Sequence, residues 1–118
     1  MYYAANIVIY VKFDDGNQDQ YPVWENITLI EADTDGEAFD KAEAIGKESD
    51  GDDFIWENRP AVWQYVGIRK LLEVHIDDSK KGFARDGIEI TYSQILLKDK
   101  RDLDRFVEDD EVSVIYEK

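Results

Sequence analysis

The stretch AVWQYVGIRKLLEVHID, residues 61–77, alternates along most of its length, as does a β-strand that has one face in a core. We expect it to be the third and longest strand of the chain, bent or bulged at Gly67. The odd-numbered residues of this strand include Trp63 and Tyr65, so two large rings fall on the face predicted to be exposed to solvent. The apolar parity comprises Val62, Val66, Ile68, Leu72, Val74 and Ile76.

The first third of the chain predicts a β-hairpin followed by a helix. Residues 2–13 and 21–32 alternate and are joined by DDGNQDQ, a turn-rich polar segment. Residues 34–37, T-D-G-E, fit a capping box in which Thr34 caps the helix and Glu37 reaches back. The apolar stripe of this helix, at helical spacing, is Ala38, Phe39, Ala42 and Ile45.

The remaining segments predict a loop, two more strands and a short helix. Residues 49–60, SDGDDFIWENRP, predict an ordered loop, because the three adjacent apolar side chains at 54–56 would not be left in water together. DSKKGFARDG then turns the chain, and residues 88–98 predict a fourth strand. KDKRDLDRFVEDD predicts a short helix capped by Asp99, and EVSVIYEK a final edge strand. That helix would bury Leu103, Phe106 and Val107.

The order β-β-α-β-β-(α)-β predicts a single α+β domain that spans residues 1–118. A mostly antiparallel sheet of four to five strands, with one main helix packed on a face, would bury these apolar faces. The sequence has no apolar run of about 18 residues, so no membrane span is predicted. It has no cysteine, which excludes disulfides and thiolate chemistry and fits a cytoplasmic protein.

Acidic residues exceed basic residues by 28 to 14, which gives a formal net charge of −14. The excess is concentrated in residues 31–57, which hold 11 acidic and 2 basic residues. A surface of this sign repels nucleic acid and anionic lipid and attracts basic partners, so we expect neither nucleic-acid nor membrane binding. The alternative is that the charge serves solubility alone.

The large rings of the sheet are expected on the face opposite the main helix. If that helix covers the parity with Ile7, Ile27 and Val66, the opposite parity forms a patch larger than monomers usually expose. Four covers remain open: the loop at residues 49–60, the C-terminal segment with Phe106, a second copy in a homodimer, or a foreign partner. The reverse assignment of faces, with Trp63 and Tyr65 beneath the helix, also remains open. The patch would consist of Tyr2, Tyr10, Trp24, Trp63 and Tyr65.

The segment ITLIEADTDGEAFDKAEAIGKE, followed after a loop by VWQYVGIRKLLEV, resembles a bacterial family in the series of domains of unknown function, number forty-two eighty-eight. The resemblance covers about Ile27 to Glu73, and it implies a small single-domain bacterial protein without implying an activity. The matching features are Glu37, Ala38, Lys41, Ala42, Glu43, Gly46, Lys47 and Glu48, then Trp63, Tyr65, Gly67 and Ile68.

No set of residues in the sequence predicts catalysis, a metal or a cofactor. His75 is the single histidine, and Glu73 and Arg69 are expected on the same strand face. A pocket near these three would suit a small metabolite-binding domain or an enzyme, which is the alternative function. EADTDG at 31–36 resembles the start of a calcium loop, but its twelfth position is Ala42, where a bidentate glutamate is needed.

The favoured function is a non-enzymatic protein-binding module. Its most concrete form is an immunity or inhibitor protein whose carboxylates stand in for phosphates and block a basic partner. Acidic groups would speed the encounter and aromatic anchors would slow release. A structural homo-oligomer is a third possibility. The candidate contact residues are Asp40, Glu43, Glu48, Asp50, Asp52, Asp53, Trp56, Trp63 and Tyr65.

Overall fold

The computed structural model describes residues 1–75 and 86–108 and the backbone of residues 115–116. The predicted strand end at 76–77, the turn up to residue 85 and most of the last predicted strand lie outside these ranges. The elements are β1 (Tyr2–Phe13), β2 (Tyr21–Glu31), α1 (Asp35–Lys47), β3 (Asp53–Trp56), β4 (Arg59–Val74), β5 (Glu89–Leu97), α2 (Lys100–Val107) and β6 (Ile115–Tyr116).

The strands form one sheet in the order β3-β4-β1-β2-β5-β6, with every described pair antiparallel, so the predicted α+β class is confirmed. β1 pairs with β2 on one side and with β4 on the other, which satisfies its backbone groups on both edges. The prediction of an ordered loop at residues 49–60 is wrong in part, because β3 (Asp53–Trp56) and the start of β4 lie within it. A two-residue turn, Glu57 and Asn58, both with positive φ, joins β3 to β4 as in a type I′ hairpin.

Helix α1 begins where its caps predict. The Glu37 N–H donates to Thr34 Oγ1 at 3.1 Å, and Glu37 Oε2 accepts from the Asp33 N–H at 3.2 Å, so the capping box is confirmed with its return bond shifted by one residue. Ala38 and Ala42 are fully buried against the sheet. Phe39, predicted to lie in the apolar stripe, is 41% exposed, because one helical step rotates it about 100° away from Ala38.

The last turn of α1 lies unusually close to the sheet, and Gly46 makes this possible. A Cβ atom at Gly46 would lie 2.5 Å from Tyr65 Cδ1 and 2.9 Å from Ile7 Cγ2, closer than atoms in contact can approach. The helix therefore packs directly on the sheet, over a cluster that includes Tyr3 and Ile30. Any side chain at position 46 would lift this end of α1.

Helix α2 covers the opposite face of the sheet. Ile7 belongs to the cluster under α1, whereas its neighbour Val8 packs with Leu103 and Phe106 of α2. Because successive strand residues face opposite sides, the two helices lie on different faces of the sheet. The prediction placed one main helix on a face and assigned no face to the short helix. The short helix predicted near residues 99–107 is thus confirmed, together with its predicted cap, since Asp99 accepts from the Asp102 N–H at 2.9 Å.

The predicted bulge of β4 is confirmed, and it overturns the predicted assignment of faces. The pairing with β1 shifts twice, so that Val66 and Arg69 have no paired residue on β1. Each shift reverses the parity: Tyr65 and Ile68 both pack in the cluster under α1, whereas Val66 packs with α2. The rings of β4 therefore lie on the same face as α1, as does Trp24, which pairs with Ile9, so the expectation that these rings would lie opposite α1 is wrong. Tyr10 does lie on the opposite face, with α2, as expected.

Two matched substitutions test the close contact of α1. We expect Gly46→Ala to lower the free energy of unfolding by about 1–3 kcal/mol, the usual cost of overpacking. Gly36, in the first turn of the same helix, has only Thr34 Oγ1 near its Cβ position, at 4.0 Å. Gly36→Ala should therefore leave the stability unchanged or raise it by up to ~1 kcal/mol through helix propensity. Urea unfolding measures both, and equal stability of the two variants would contradict the contact.

Candidate functional site

Four rings form an aromatic cluster beyond the C-terminal end of α1: Trp24, Phe54, Trp56 and Trp63. Phe54 stacks on Trp63 with 4.5 Å between ring centroids, and Trp24 meets Trp63 edge-on at 5.1 Å and Trp56 at 5.4 Å. Two of the four predicted covers contribute: Phe54 and Trp56 of the segment 49–60 pack with Trp24 and Trp63, and Phe106 of the C-terminal segment packs in the cluster that holds Tyr10. All four rings remain half-buried, so the cluster keeps some exposed edge.

Residues 48–53, here called the acidic turn, are fixed to β4 next to these rings. The Gly51 N–H donates to the Trp63 carbonyl at 2.8 Å, and the Trp63 N–H to the Asp52 carbonyl at 3.3 Å. The Tyr65 N–H donates to Asp50 Oδ1 at 2.9 Å. Gly51 has a φ of +84°, which a glycine adopts without strain. The turn is therefore a preorganised surface, held by three bonds to two residues of one strand.

Tyr65 lies between the end of α1 and the acidic turn. Its hydroxyl is 3.5 Å from Glu43 Oε2, and Lys47 Nζ lies 5.8 Å from its ring centroid. Burial, together with the negative charge of Glu43, raises the pKa of Tyr65 from 10.0 to about 12. The phenol is thus neutral at physiological pH, which suits a hydrogen-bonding group rather than a base.

The candidate contact residues divide into a central group and a flanking group. Tyr65 touches Glu43 and Asp50, and Trp63 bonds the backbone of the acidic turn, so these residues come together. Trp56 joins them only through Trp24. Glu48, at the end of α1, and Asp52 belong to the acidic turn itself. The flanking residues are Asp40, on the outer side of α1, and Asp53, on the side of β3 opposite Phe54 and Trp56.

The carboxylates of the acidic turn are not paired with basic side chains of the described residues. Glu48, Asp50 and Asp52 are exposed, and none forms an ion pair with another described residue; the same holds for Asp40 and Asp53. Within the described part of the chain, Glu43 is the one candidate carboxylate with an ion pair, to Lys47 at 3.5 Å. Within residues 1–75 and 86–108, no three acidic or histidine side chains are placed to hold a metal ion.

Charge is neutralised elsewhere on the same end of the sheet. Arg59, in the β3–β4 hairpin, bonds Asp15 at 3.1 Å and Asp19 at 2.9 Å while its guanidinium lies 3.5 Å from the Phe13 ring centroid. This arginine ties the β1–β2 loop to the hairpin. The loop carboxylates are thus engaged internally, in contrast to those of the acidic turn.

The structure does not bring His75, Glu73 and Arg69 together. His75 is exposed just after β4, and Glu73 pairs with Tyr3 on the α1 side. Arg69, displaced by the bulge, lies on the opposite side, where it bonds Glu25 and packs 4.6 Å from the Phe106 ring centroid. The expectation that Arg69 shares a strand face with Glu73 is therefore wrong, for the same reason as the misplaced rings.

Comparison with known proteins identifies the family. Residues 2–91 match the family described as a domain of unknown function, DUF4288. The chain belongs to this family. The predicted resemblance is confirmed, and the DUF4288 match extends beyond it to β1 and to the first residues of β5. The aromatic cluster and the acidic turn lie inside the matched region, whereas α2 and β6 lie outside it. No curated protein and no solved structure matches the chain.

The described part of the DUF4288 chain contains no helix long and apolar enough to cross a membrane. The two helices have 13 and 8 residues, fewer than the roughly 20 needed to span the hydrocarbon core.

The link between Tyr65 and Glu43 predicts a pH effect. Because the folded chain favours the neutral phenol, this contribution to stability is complete below pH 10.0 and is lost as the pH rises toward about 12. We expect Glu43→Gln to lower the pKa of Tyr65, as followed by carbon NMR of labelled tyrosine. Asp40→Asn, on the outer side of the same helix, is the control and should leave the pKa of Tyr65 unchanged. An unchanged Tyr65 pKa in Glu43→Gln would contradict the assigned cause.

Proposed function

We propose that this chain is a non-enzymatic module that binds a basic protein through the acidic turn and the edge of the aromatic cluster. The observation that carries the proposal is the set of exposed carboxylates at Glu48, Asp50 and Asp52. They have no ion pair among the described residues and stand on a backbone bonded to β4. Fixed charges of one sign need a partner of the opposite sign to form a stable contact.

The charge of the whole chain supports the encounter step. A formal net charge of −14 produces a negative field that raises the association rate of cationic partners and repels nucleic acid. The carboxylates of the acidic turn would then be the local target, because Lys and Arg side chains bind carboxylates through charge-assisted hydrogen bonds. Asp40 and Asp53 would act as an outer rim, where charges influence association more than dissociation.

The half-buried rings supply the apolar part of such a contact. Trp63 and Trp56 are locked by their ring neighbours, so little side-chain entropy would be lost on binding. Tryptophan next to a charged rim is typical of the residues that dominate protein–protein affinity. Ile55, on the other side of β3, is 65% exposed and extends the apolar surface around this edge strand.

The most specific form of the proposal is an inhibitor of a nucleic-acid-binding protein in the bacterial cytoplasm. Carboxylates held in a fixed row would occupy the cationic groove that otherwise binds phosphates. The absence of cysteine from the sequence supports a reducing compartment.

A double variant tests the surface without loosening it. Asp50→Asn keeps a side-chain oxygen that can accept from the Tyr65 N–H. Asp52→Lys reverses the charge at a side chain that makes no described contact. The matched control, Glu31→Gln with Glu73→Lys, changes the net charge equally at the other end of the sheet, where Glu31 pairs with Tyr2. Immobilised wild-type, variant and control proteins are used to capture proteins from a bacterial lysate at increasing salt concentration.

We expect a basic protein to be retained by the wild type and the control and to be lost from the Asp50→Asn, Asp52→Lys variant, with elution by salt. Equal retention by all three proteins would contradict the proposal, as would capture of nothing but a second copy of the chain.

A further inference from the structure

A groove on the α1 face of the sheet lies beside the aromatic cluster. It adjoins the acidic surface proposed above and shares Glu48 and Ser49 with the acidic turn, whereas Asp50 and Asp52 are not among its lining residues. Its floor is formed by β1 and β2 and its walls by the end of α1 and the start of β5, and its volume is about 170 Å³. A cavity of roughly 150 Å³ accommodates benzene, so the groove suits a molecule of about six non-hydrogen atoms. All its lining residues lie within residues 2–91, the region matched to the family.

The side-chain sizes along β2 explain why the groove exists. On the α1 side, β2 presents Trp24, Asn26, Thr28 and Ile30 in order, because they pair with successive odd-numbered residues of β1. Large side chains at the two ends enclose two short polar ones in the middle. The close contact at Gly46 brings the end of α1 down beside this depression and forms its wall.

The wall formed by β5 is held to the rest of the fold by several bonds. The Gly87 N–H donates to the Leu29 carbonyl at 2.7 Å, and the Leu29 N–H donates to the Ile88 carbonyl at 2.9 Å. Asp86 accepts from the Glu31 N–H at 2.8 Å and from Lys41 Nζ of α1 at 3.0 Å. These contacts connect both walls, so the groove is preformed rather than dependent on a ligand.

The groove contains hydrogen-bonding groups that the protein does not use. Thr28 is only 3% exposed, yet its hydroxyl makes no hydrogen bond with the described residues. The side chains of Asn26 and Ser49, which line the same groove, also make none within residues 1–75 and 86–108. Asn26 and Ser49 are half-buried and the Thr28 hydroxyl is not fully enclosed, so all three groups can donate or accept hydrogen bonds toward the groove. Three polar groups at one groove that are unpaired among the described residues favour a polar ligand.

Charge and surface character narrow the class of that ligand. Glu48 and Glu89 line the groove, and no lysine or arginine is among its described lining residues. The C-terminal end of α1, with its negative dipole charge, lies at the same place. A cation is therefore favoured. Its remaining surface would be aliphatic, because the apolar lining consists of Ile7, Ile9 and Ile45.

We propose that this groove binds a small aliphatic amine in its ammonium form. The ammonium group has three N–H donors, which match the oxygens of Thr28, Asn26 and Ser49, while Glu48 and Glu89 balance its charge. The alkyl chain packs on the three isoleucines. A short monoamine or diamine has the size, the charge and the apolar length that the groove accepts.

Titration with n-butylammonium chloride, followed by amide NMR, tests the proposal. Butanol matches the probe in length without the charge, butyrate carries the opposite charge, and sodium chloride controls for ionic strength. We expect saturable shifts at the amides of Ile7, Thr28 and Ser49 with the ammonium compound alone. Shifts of the same affinity with butanol, or the absence of saturable shifts with the amine, would overturn the proposal.

Variants then assign the binding to the groove. We expect Thr28→Val and Glu89→Gln each to weaken the affinity for n-butylammonium about tenfold, the effect of losing one hydrogen bond or charge contact. Glu108→Gln, at the end of α2 on the opposite face, is the matched control and should bind like the wild type. The Asp50→Asn, Asp52→Lys variant should also retain amine binding, because neither residue lines the groove; amine binding is thereby distinguished from protein binding through Asp50 and Asp52. Unchanged affinity in both groove variants would refute the assignment.

Discussion

The contact between Gly46 and the Tyr65 ring organises the functional end of this protein. Because no side chain intervenes, the last turn of α1 rests on β4 and Ile7 of β1. The helix therefore ends directly beside the strand residues that bind the acidic turn through Gly51 and Asp50. The same descent of the helix builds the wall of the groove. One missing Cβ atom thus positions a charged surface and a cavity at once.

The second constraint is the pair of bulges in β4. They allow the strand to keep Tyr65 under α1 and Val66 under α2, so that one strand supports both helices. They also release Arg69 toward Glu25 on the α2 side, where Glu25 is almost fully buried. A buried carboxylate needs such a partner, so the bulge satisfies a charge as well as a packing requirement.

Local signals in the sequence were sufficient for most of the fold. Alternation identified β1 and β2, and the caps Thr34 and Asp99 marked the starts of both helices, because strand pattern and capping depend on neighbours in the chain. The sequence did not predict β3, because four residues in an acid-rich segment carry too little alternation to distinguish a strand from a loop. The sequence did not predict the groove, because residues distant in the chain, such as Asn26 and Ser49, line it together, and no local pattern encodes that proximity.

The candidate residues Glu43, Asp50, Trp63 and Tyr65 come together in the structure, whereas the predicted orientation of the two rings is wrong. Counting parity across Gly67 placed Trp63 and Tyr65 away from α1, since a period of two cannot register two bulges three residues apart. The consequence is physical as well as formal. The rings pack among themselves, so the exposed chemistry of this surface is dominated by carboxylates, with aromatic edges beside them.

The measurement that tests this account most directly is a nuclear Overhauser spectrum of the folded chain. The account predicts strong cross-peaks from the Gly46 α-protons to the Tyr65 ring and to the Ile7 methyl group, together with a ring-current shift of one α-proton. Absence of these cross-peaks, with the Tyr65 ring in contact with α2 instead, would contradict the arrangement on which the acidic surface and the groove both rest.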